Sequence, residues 1–244
     1  MDPIEKFNKE NNINSERLLE ETNIQDVSLE WLAKTYRYRH PYTFTWMGVP
    51  IIQYPQDIMA LQEVIWKVKP DTIIETGVAH GGCALFYASM LNLLGNNGKV
   101  IGVDIDIKEH NRKTIEEHPL SKNIKLIEGS SVAEQTLIEV KYALKDSKKV
   151  LVCLDSNHKY EHVLKELELY SPLVSKDSYL IVFDTLVEVL PNKHFPHRPF
   201  KRGNNPYVAV QNFLKTNNNF KVDTEIEKKL LITANPNGFL KRIK

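Results

Sequence analysis

Residues 71–94 read DTIIETGVAHGGCALFYASMLNLL. Ile73 and Ile74 make a short apolar strand ending at Glu75, and Cys83 to Leu94 reads as an almost wholly apolar helix. Between them lies the turn Thr76-Gly77-Val78-Ala79-His80-Gly81-Gly82. Gly77 and Gly81, with the small Ala79 between them, let backbone approach a ligand closely. A lone G-x-A-x-G is a weak signal, and its placement between strand and helix gives it weight.

The same alternation continues downstream. Strands KVIGVDI (99–105), NIKLIEG (123–129), KVLVCLD (149–155) and SYLIVFD (178–184) alternate with helices over 107–118, 132–146 and 159–174. A loop, a helix (NPYVAVQNFLKT, 205–216) and two further apolar segments, FKVDTEI and KKLLITAN, close the chain. Near-continuous apolar strands separated by helices predict an α/β fold, a doubly wound, mostly parallel sheet of the Rossmann-like kind. The last two segments predict an antiparallel hairpin at the sheet edge. Upstream, QDIMALQEVIWK (56–67) spaces Ile58, Leu61, Val64 and Ile65 on one helical face.

Residues 1–30 are polar and read as a loose arm or short helices. Residues 31–54 are dense in aromatics, including Trp31, Tyr36, Tyr38, Tyr42, Phe44 and Trp46, which would not be left in water. The expectation is an N-terminal extension, residues 1–55, lying on the core or on a partner chain, followed by one domain over residues 56–244. The chain has 244 residues, with 32 Lys+Arg against 31 Asp+Glu and a formal net charge of +1. That balance argues against a dedicated nucleic-acid binder. Hydrophobic residues make up 42%, enough for a sizeable core. Two cysteines in apolar runs, Cys83 and Cys153, do not form a disulfide scaffold and suggest a reducing, cytoplasmic setting. No apolar run is long enough for a membrane span, and the first residues lack a secretory signal's apolar core.

In a doubly wound sheet, ligands bind at the C-terminal ends of the strands. Glu75 precedes the first glycine, where a carboxylate repels a pyrophosphate but suits an ammonium group. The next strand ends Gly102-Val103-Asp104-Ile105, and an acid there commonly accepts from ribose hydroxyls. The third turn, Glu128-Gly129-Ser130-Ser131, lies where an adenine edge would sit. Glu75, Gly77, Ala79, Gly81, Asp104, Ile105, Ser130 and Ser131 together suit a nucleoside with an amino-acid tail, S-adenosylmethionine. The plainer alternative is a generic turn with a solvated Glu75.

Asp155 and Asp184 end the fourth and fifth strands. If these strands are neighbours, about 4.8 Å apart, their carboxylates face one another and share a proton, meet a cation or splay into water. Carboxylate ligands suit Mg²⁺, Ca²⁺ or Mn²⁺. Asp155 could equally be a helix N-cap. His158, three residues on, is a candidate general base or further ligand, or simply a surface residue. Residues 189–222 hold no Asp or Glu but include Lys193, Arg198, Lys201 and Arg202 beside Phe195 and Phe200. A structureless stretch near 187–204 suits a lid or binding loop for a sugar or an anionic acceptor, or a solvated loop.

These motifs resemble the cephalosporin hydroxylase family, whose sugar-directed relatives include rhamnosyl O-methyltransferases. The likeness runs through Thr45-Trp46-Met47-Gly48-Val49-Pro50, Lys69-Pro70-Asp71, the glycine turn, Gly102-Val103-Asp104-Ile105-Asp106, Gly129-Ser130-Ser131, Leu154-Asp155-Ser156-Asn157-His158 and the tail Asn235–Arg242, over roughly residues 40–244. It implies a class I methyltransferase fold, S-adenosylmethionine as cofactor, Mg²⁺ in some members, a small-molecule acceptor and homo-oligomers. The family's metal set is an Asp after the fourth strand, matched by Asp155, and an acidic pair after the fifth. Asp184 matches the second member of that pair, and Phe183 replaces the first. In this reading His158 and Asp155 carry catalysis, and Asp155 also touches the cofactor. The other readings are an Fe(II)-dependent hydroxylase, which wants two His and a carboxylate, with His162 the nearest second imidazole, and a non-catalytic cofactor-binding subunit, which Phe183 favours.

Overall fold

The computed structural model describes residues 2–244. Its elements, in chain order, begin with α1 (Pro3–Glu20), α2 (Thr22–Tyr36), the paired β1 (Thr45–Trp46) and β2 (Val49–Pro50), and α3 (Pro55–Val68). The sheet proper starts with β3 (Thr72–Thr76), α4 (Gly82–Leu93), β4 (Lys99–Asp104), α5 (Glu109–Glu116), β5 (Ile124–Glu128), α6 (Glu134–Ala143), β6 (Val150–Leu154), α7 (Tyr160–Tyr170) and β7 (Tyr179–Val182). It ends with α8 (Pro206–Thr216), β8 (Phe220–Val222), α9 (Thr224–Glu227) and β9 (Phe239–Arg242).

Seven strands form one sheet in the order β5-β4-β3-β6-β7-β9-β8. The first five run parallel, with Thr76 paired to Val103 on one side and Leu154 on the other. From β3 the chain winds outward through β4 and β5, then returns to lay β6 and β7 on the other side. The order therefore reverses between β3 and β6, and a crevice opens at their carboxyl ends. β3, β6 and β7 are buried along their whole lengths, as strands covered on both faces by helices must be. The two faces carry separate apolar clusters. One, built on Leu61, Ile65, Phe86 and Phe239, packs α3 and α4 on the sheet. The other, built on Leu167, Tyr170, Val210 and Phe213, packs α7 and α8.

The sheet edge is antiparallel, as expected, but its last strand lies elsewhere in the sequence. β8 pairs with Phe239–Arg242, not with residues 228–235. The reason is local. Asp223 accepts the Glu225 N–H and starts α9, which ends the strand after Val222. The following segment is then held by side chains, with Thr233 and Ala234 bonded to Asp57 of α3.

The N-terminal residues are helical. α1 buries no side chain, whereas α2 buries Leu32. A third cluster joins Leu32 and Tyr54 to Leu186, Leu190, Phe195 and Phe200, with Trp31 and Tyr36 packed at its margin. Most of the aromatic segment thus lies on the body of this chain and ties down the loop after β7, but Tyr38 stays 70% exposed, its hydroxyl accepting from Arg37, and Tyr42 is 46% exposed. No helix among the described residues is long and apolar enough to cross a membrane. Cys83 and Cys153 are free thiols, both buried.

Candidate active site

The glycine turn sits where the sheet order reverses. Gly77 has φ +89°, and a Cβ there would stand 2.1 Å from the Asp155 carbonyl oxygen. Only glycine lets the end of β3 lie this close to the end of β6. Asp155 is held from the same side, its N–H donating to the Thr76 carbonyl at 2.9 Å. Ala79 also takes a left-handed φ of 48°, and its N–H donates to Asp104 Oδ2 at 3.1 Å. Gly81 has φ +93° and abuts Ile115 of α5.

Beneath this turn Glu75 is 1% exposed. Its Oε2 and the Thr76 hydroxyl are buried and have no hydrogen-bond partner. Desolvation, then the nearby Asp104 carboxylate, raises the Glu75 acid well above the usual range. A buried carboxyl oxygen left unpaired beside a glycine cradle fits a ligand that brings a donor.

At the ends of β6 and β7 the carboxylates meet as expected. One ligand atom from each of Asp155, His158 and Asp184 lies within 4.8 Å of the others. His158 Nε2 is 3.2 Å from Asp184 Oδ2, and the His158 ring stands edge-on to Phe200, 5.1 Å between centroids. Gln53 Nε2 donates to Asp155 Oδ2 at 3.1 Å. Desolvation, followed by the Asp184, Glu75 and Glu166 carboxylates, pushes the Asp155 acid well above its ordinary value. Asp184 sits in the left-handed region, φ 53°, and its N–H donates to Asn235 Oδ1 at 3.1 Å. That backbone turn lifts Asp184 to the rim, while Phe183 is 2% exposed within the core. Phe183, where the resemblance implied an acid, is therefore an apolar side chain facing inward, and the imidazole of His158 is the group that lies beside the two carboxylates.

His162 does not join this group. It lies 3.0 Å from Ser131 Oγ and 3.7 Å from Glu166 Oε1. The donor set is thus two carboxylates and one imidazole, not the two imidazoles and one carboxylate of an iron oxygenase site.

One cavity of about 500 Å³ brings these parts together. Gly77, Ala79, Asp155, His158 and Asp184 line it. Glu75, Gly81, Asp104, Ile105, Ser130 and Ser131 do not. Glu75 lies buried below the turn, and Asp104 reaches it through the Ala79 N–H. Ile105 is 72% exposed on the outer flank. Ser131 is buried and points at His162, away from the crevice. The strand-end motifs left out two further parts of the lining, of which the loop with Lys193 and Arg198 was expected as a lid or binding loop and the part from the N-terminal extension was not. Tyr36, Arg37, Arg39 and Tyr42 come from the N-terminal extension, and Lys193 and Arg198 from the loop after β7. The signal for both parts was an acid-free stretch, since residues 31–56 contain no Asp or Glu, as residues 189–222 do not. Nothing in the sequence pattern marked Gln53, and Asn235 was marked only as the first residue of the tail that carries the family resemblance.

Comparison with known proteins agrees with this geometry. The family model described as rhamnosyl O-methyltransferase/CmcI matches residues 38–243. The rhamnosyl O-methyltransferase of Mycobacterium tuberculosis (strain ATCC 25618 / H37Rv) is 31% identical over 204 residues, covering 81% of this chain and 78% of that protein. That of Mycobacterium leprae (strain TN) is 31% identical over 202 residues, covering 82% and 83%. Among solved structures, CmcI with Mg and SAM superposes with a TM-score of 0.59 at 16% identity, over 83% of this chain and 78% of that one. An O-methyltransferase from Bacillus cereus in complex with SAH gives 0.51 at 13% identity, over 80% and 81%. Those two likenesses establish the class I methyltransferase fold. The chain belongs to the rhamnosyl O-methyltransferase/CmcI family, within the S-adenosylmethionine-dependent O-methyltransferases.

Proposed function

We propose that this O-methyltransferase acts on a hydroxyl of a sugar or sugar-containing small metabolite, with a divalent cation, Mg²⁺ in the first instance, bound at Asp155 and Asp184. The observation that carries the reading is that one cavity holds both the glycine turn and the Asp155-His158-Asp184 group. The sugar acceptor is supported by the relatives named rhamnosyl O-methyltransferase. When bound, S-adenosylmethionine supplies an electrophilic methyl on a sulfonium, and the cation supplies Lewis-acid polarisation of an acceptor oxygen.

The residues of the chain do the rest. The turn at Gly77, Ala79 and Gly81 admits the cofactor against backbone. Glu75 is assigned to the amino end and Asp104 to the ribose, while Ile105, Ser130 and Ser131, which do not line the cavity, are given no contact with the cofactor. Asp104 must release the Ala79 N–H, or share it, to accept from a ribose. His158 acts as the base. With Nε2–H donated to Asp184, Nδ1 is the nitrogen left to take the acceptor's proton, and Asp184 stabilises the imidazolium that forms. Gln53 orients Asp155.

The test is transfer of labelled methyl from S-adenosylmethionine to a panel of glycosides, with Mg²⁺ and with EDTA. Transfer that Mg²⁺ stimulates and EDTA suppresses supports the reading. His158→Ala should lower transfer about 10²–10⁴-fold while cofactor binding holds. Equal transfer in EDTA would remove the cation, and oxygen- and iron-dependent turnover would remove the methyltransferase reading.

A further inference from the structure

We infer that the acceptor carries a phosphate or diphosphate group, held by Arg37, Arg39, Lys193 and Arg198. The inference rests on the transferase reading of the same cavity and names the class of acceptor.

Two segments that contribute to the lining of the cavity are unusual in charge. Residues 31–56 and 189–222 contain nine of the 32 Lys and Arg residues and none of the 31 Asp and Glu. The rest of a nearly neutral chain is therefore net acidic. Four of those nine cations line the cavity, against two carboxylates, Asp155 and Asp184. Those two are assigned to a cation of their own, which would leave the four cations uncompensated.

The four cations are also unpaired. Among the described residues, none of them lies within ion-pair distance of a carboxylate. The loop after β7 uses a different arginine for its own folding. Arg202 donates to the Glu188 and Val189 carbonyls, and the Glu188 carboxylate is occupied by the Gly203 N–H and the Asn205 amide. Lys193 and Arg198 are left for the cavity. Arg39 packs over the Tyr42 ring at 5.7 Å and Arg198 over the Phe200 ring at 5.8 Å. Stacking of this kind holds the guanidinium plane and leaves its N–H groups free. Phe195 and Phe200 are buried, so the loop that carries Arg198 is anchored. Tyr36 lies near both Asp184 and Arg198, whose charges act on it in opposite directions. The cationic wall and the reacting end thus face the same aromatic ring.

Arginine forks match phosphate oxygens bidentately, and four cations exceed what a single carboxylate needs. A glycosyl phosphate or nucleoside-diphosphate sugar satisfies both ends, with a hydroxyl at His158 and the phosphate on the arginines.

The test is calorimetric titration with inorganic pyrophosphate in EDTA, alongside titration with S-adenosylhomocysteine. Wild type should bind both. Arg39→Ala and Arg198→Ala should each weaken pyrophosphate about tenfold or more, with partial recovery in Arg39→Lys and Arg198→Lys and no change in Lys215→Ala, whose cation lies outside the cavity. S-Adenosylhomocysteine affinity should stay the same in all of them. Pyrophosphate should compete with the acceptor, and a glycosyl phosphate should be methylated in preference to the free sugar. Absent pyrophosphate binding with normal S-adenosylhomocysteine binding would overturn this inference alone. Parallel loss of S-adenosylhomocysteine in the arginine variants would assign the cations to the cofactor's carboxylate and overturn it too. Preference for a uronic acid over the phosphate would overturn the phosphate class. Failure of wild type to bind S-adenosylhomocysteine would bring down the transferase reading itself.

Discussion

Gly77 and Phe183 show what a single side chain decides here. At Gly77 a methyl would meet the Asp155 carbonyl and sit at φ +89°, a conformation that costs of order 1–3 kcal/mol for other residues. Gly77→Ala should therefore lower the melting temperature and weaken S-adenosylmethionine binding at least tenfold, as read by thermal unfolding and calorimetry. Unchanged binding would detach the turn from the cofactor. Phe183 poses the opposite question. It is buried among Tyr179, Ile181 and Phe239, so Phe183→Glu should destabilise by several kcal/mol, the cost of an unpaired polar group in an apolar site, rather than add a metal ligand. A stable Phe183→Glu protein with tighter Mg²⁺ binding would contradict that. The identity of Phe183 was legible in the sequence as a departure, but its inward direction was not, because it depends on the turn that lifts Asp184.

The elements divide by how much of their pattern is local. Strands and helices of the βα alternation were legible because each buries a continuous apolar run or one helical face. The edge was less so. Residues 228–235 have strand-like composition, and what keeps them out of the sheet is a distant carboxylate, Asp57 of α3, which no periodicity reveals. Asp57 accepts from Thr233 and the Ala234 N–H, and Asn235, the next residue, accepts the Asp184 N–H. A helix residue thereby positions the loop that carries Asp184. Burial raises the Asp57 acid to about 7, against about 3.9 when unfolded. The folded protein therefore holds a proton there that the unfolded chain has lost, and stability from this group falls as pH rises from about 4 to about 7. Denaturant unfolding across that range should show the decline in wild type and a flatter profile in Asp57→Asn. Identical profiles would contradict it. α1 is the other extreme. It buries no side chain, so deletion of residues 2–20 should leave the melting temperature and cofactor affinity close to wild type. A large loss of either would show that the helix serves the fold.

At the scale of the whole molecule, the sheet supplies the glycine turn and the carboxylates, and the extension with the late loop supplies the cations and aromatics of the same cavity. The first was readable from strand ends, since Gly77, Asp155 and Asp184 must fall where the strand order reverses. The second depends on how residues 31–56 and 187–204 wrap around each other through Leu32, Tyr54, Phe195 and Phe200. That is a tertiary fact, and the sequence showed only its charge and aromatic content. The proposed site has two separable parts, a cofactor site at the glycine turn that does not need the metal and a carboxylate pair proposed to bind it. Calorimetric titration with S-adenosylmethionine in EDTA, repeated with Mg²⁺ and with Asp155→Asn/Asp184→Asn, separates them. The expected result is cofactor binding in EDTA and a Mg²⁺ signal that the double variant loses. No binding of S-adenosylmethionine in either condition would contradict it.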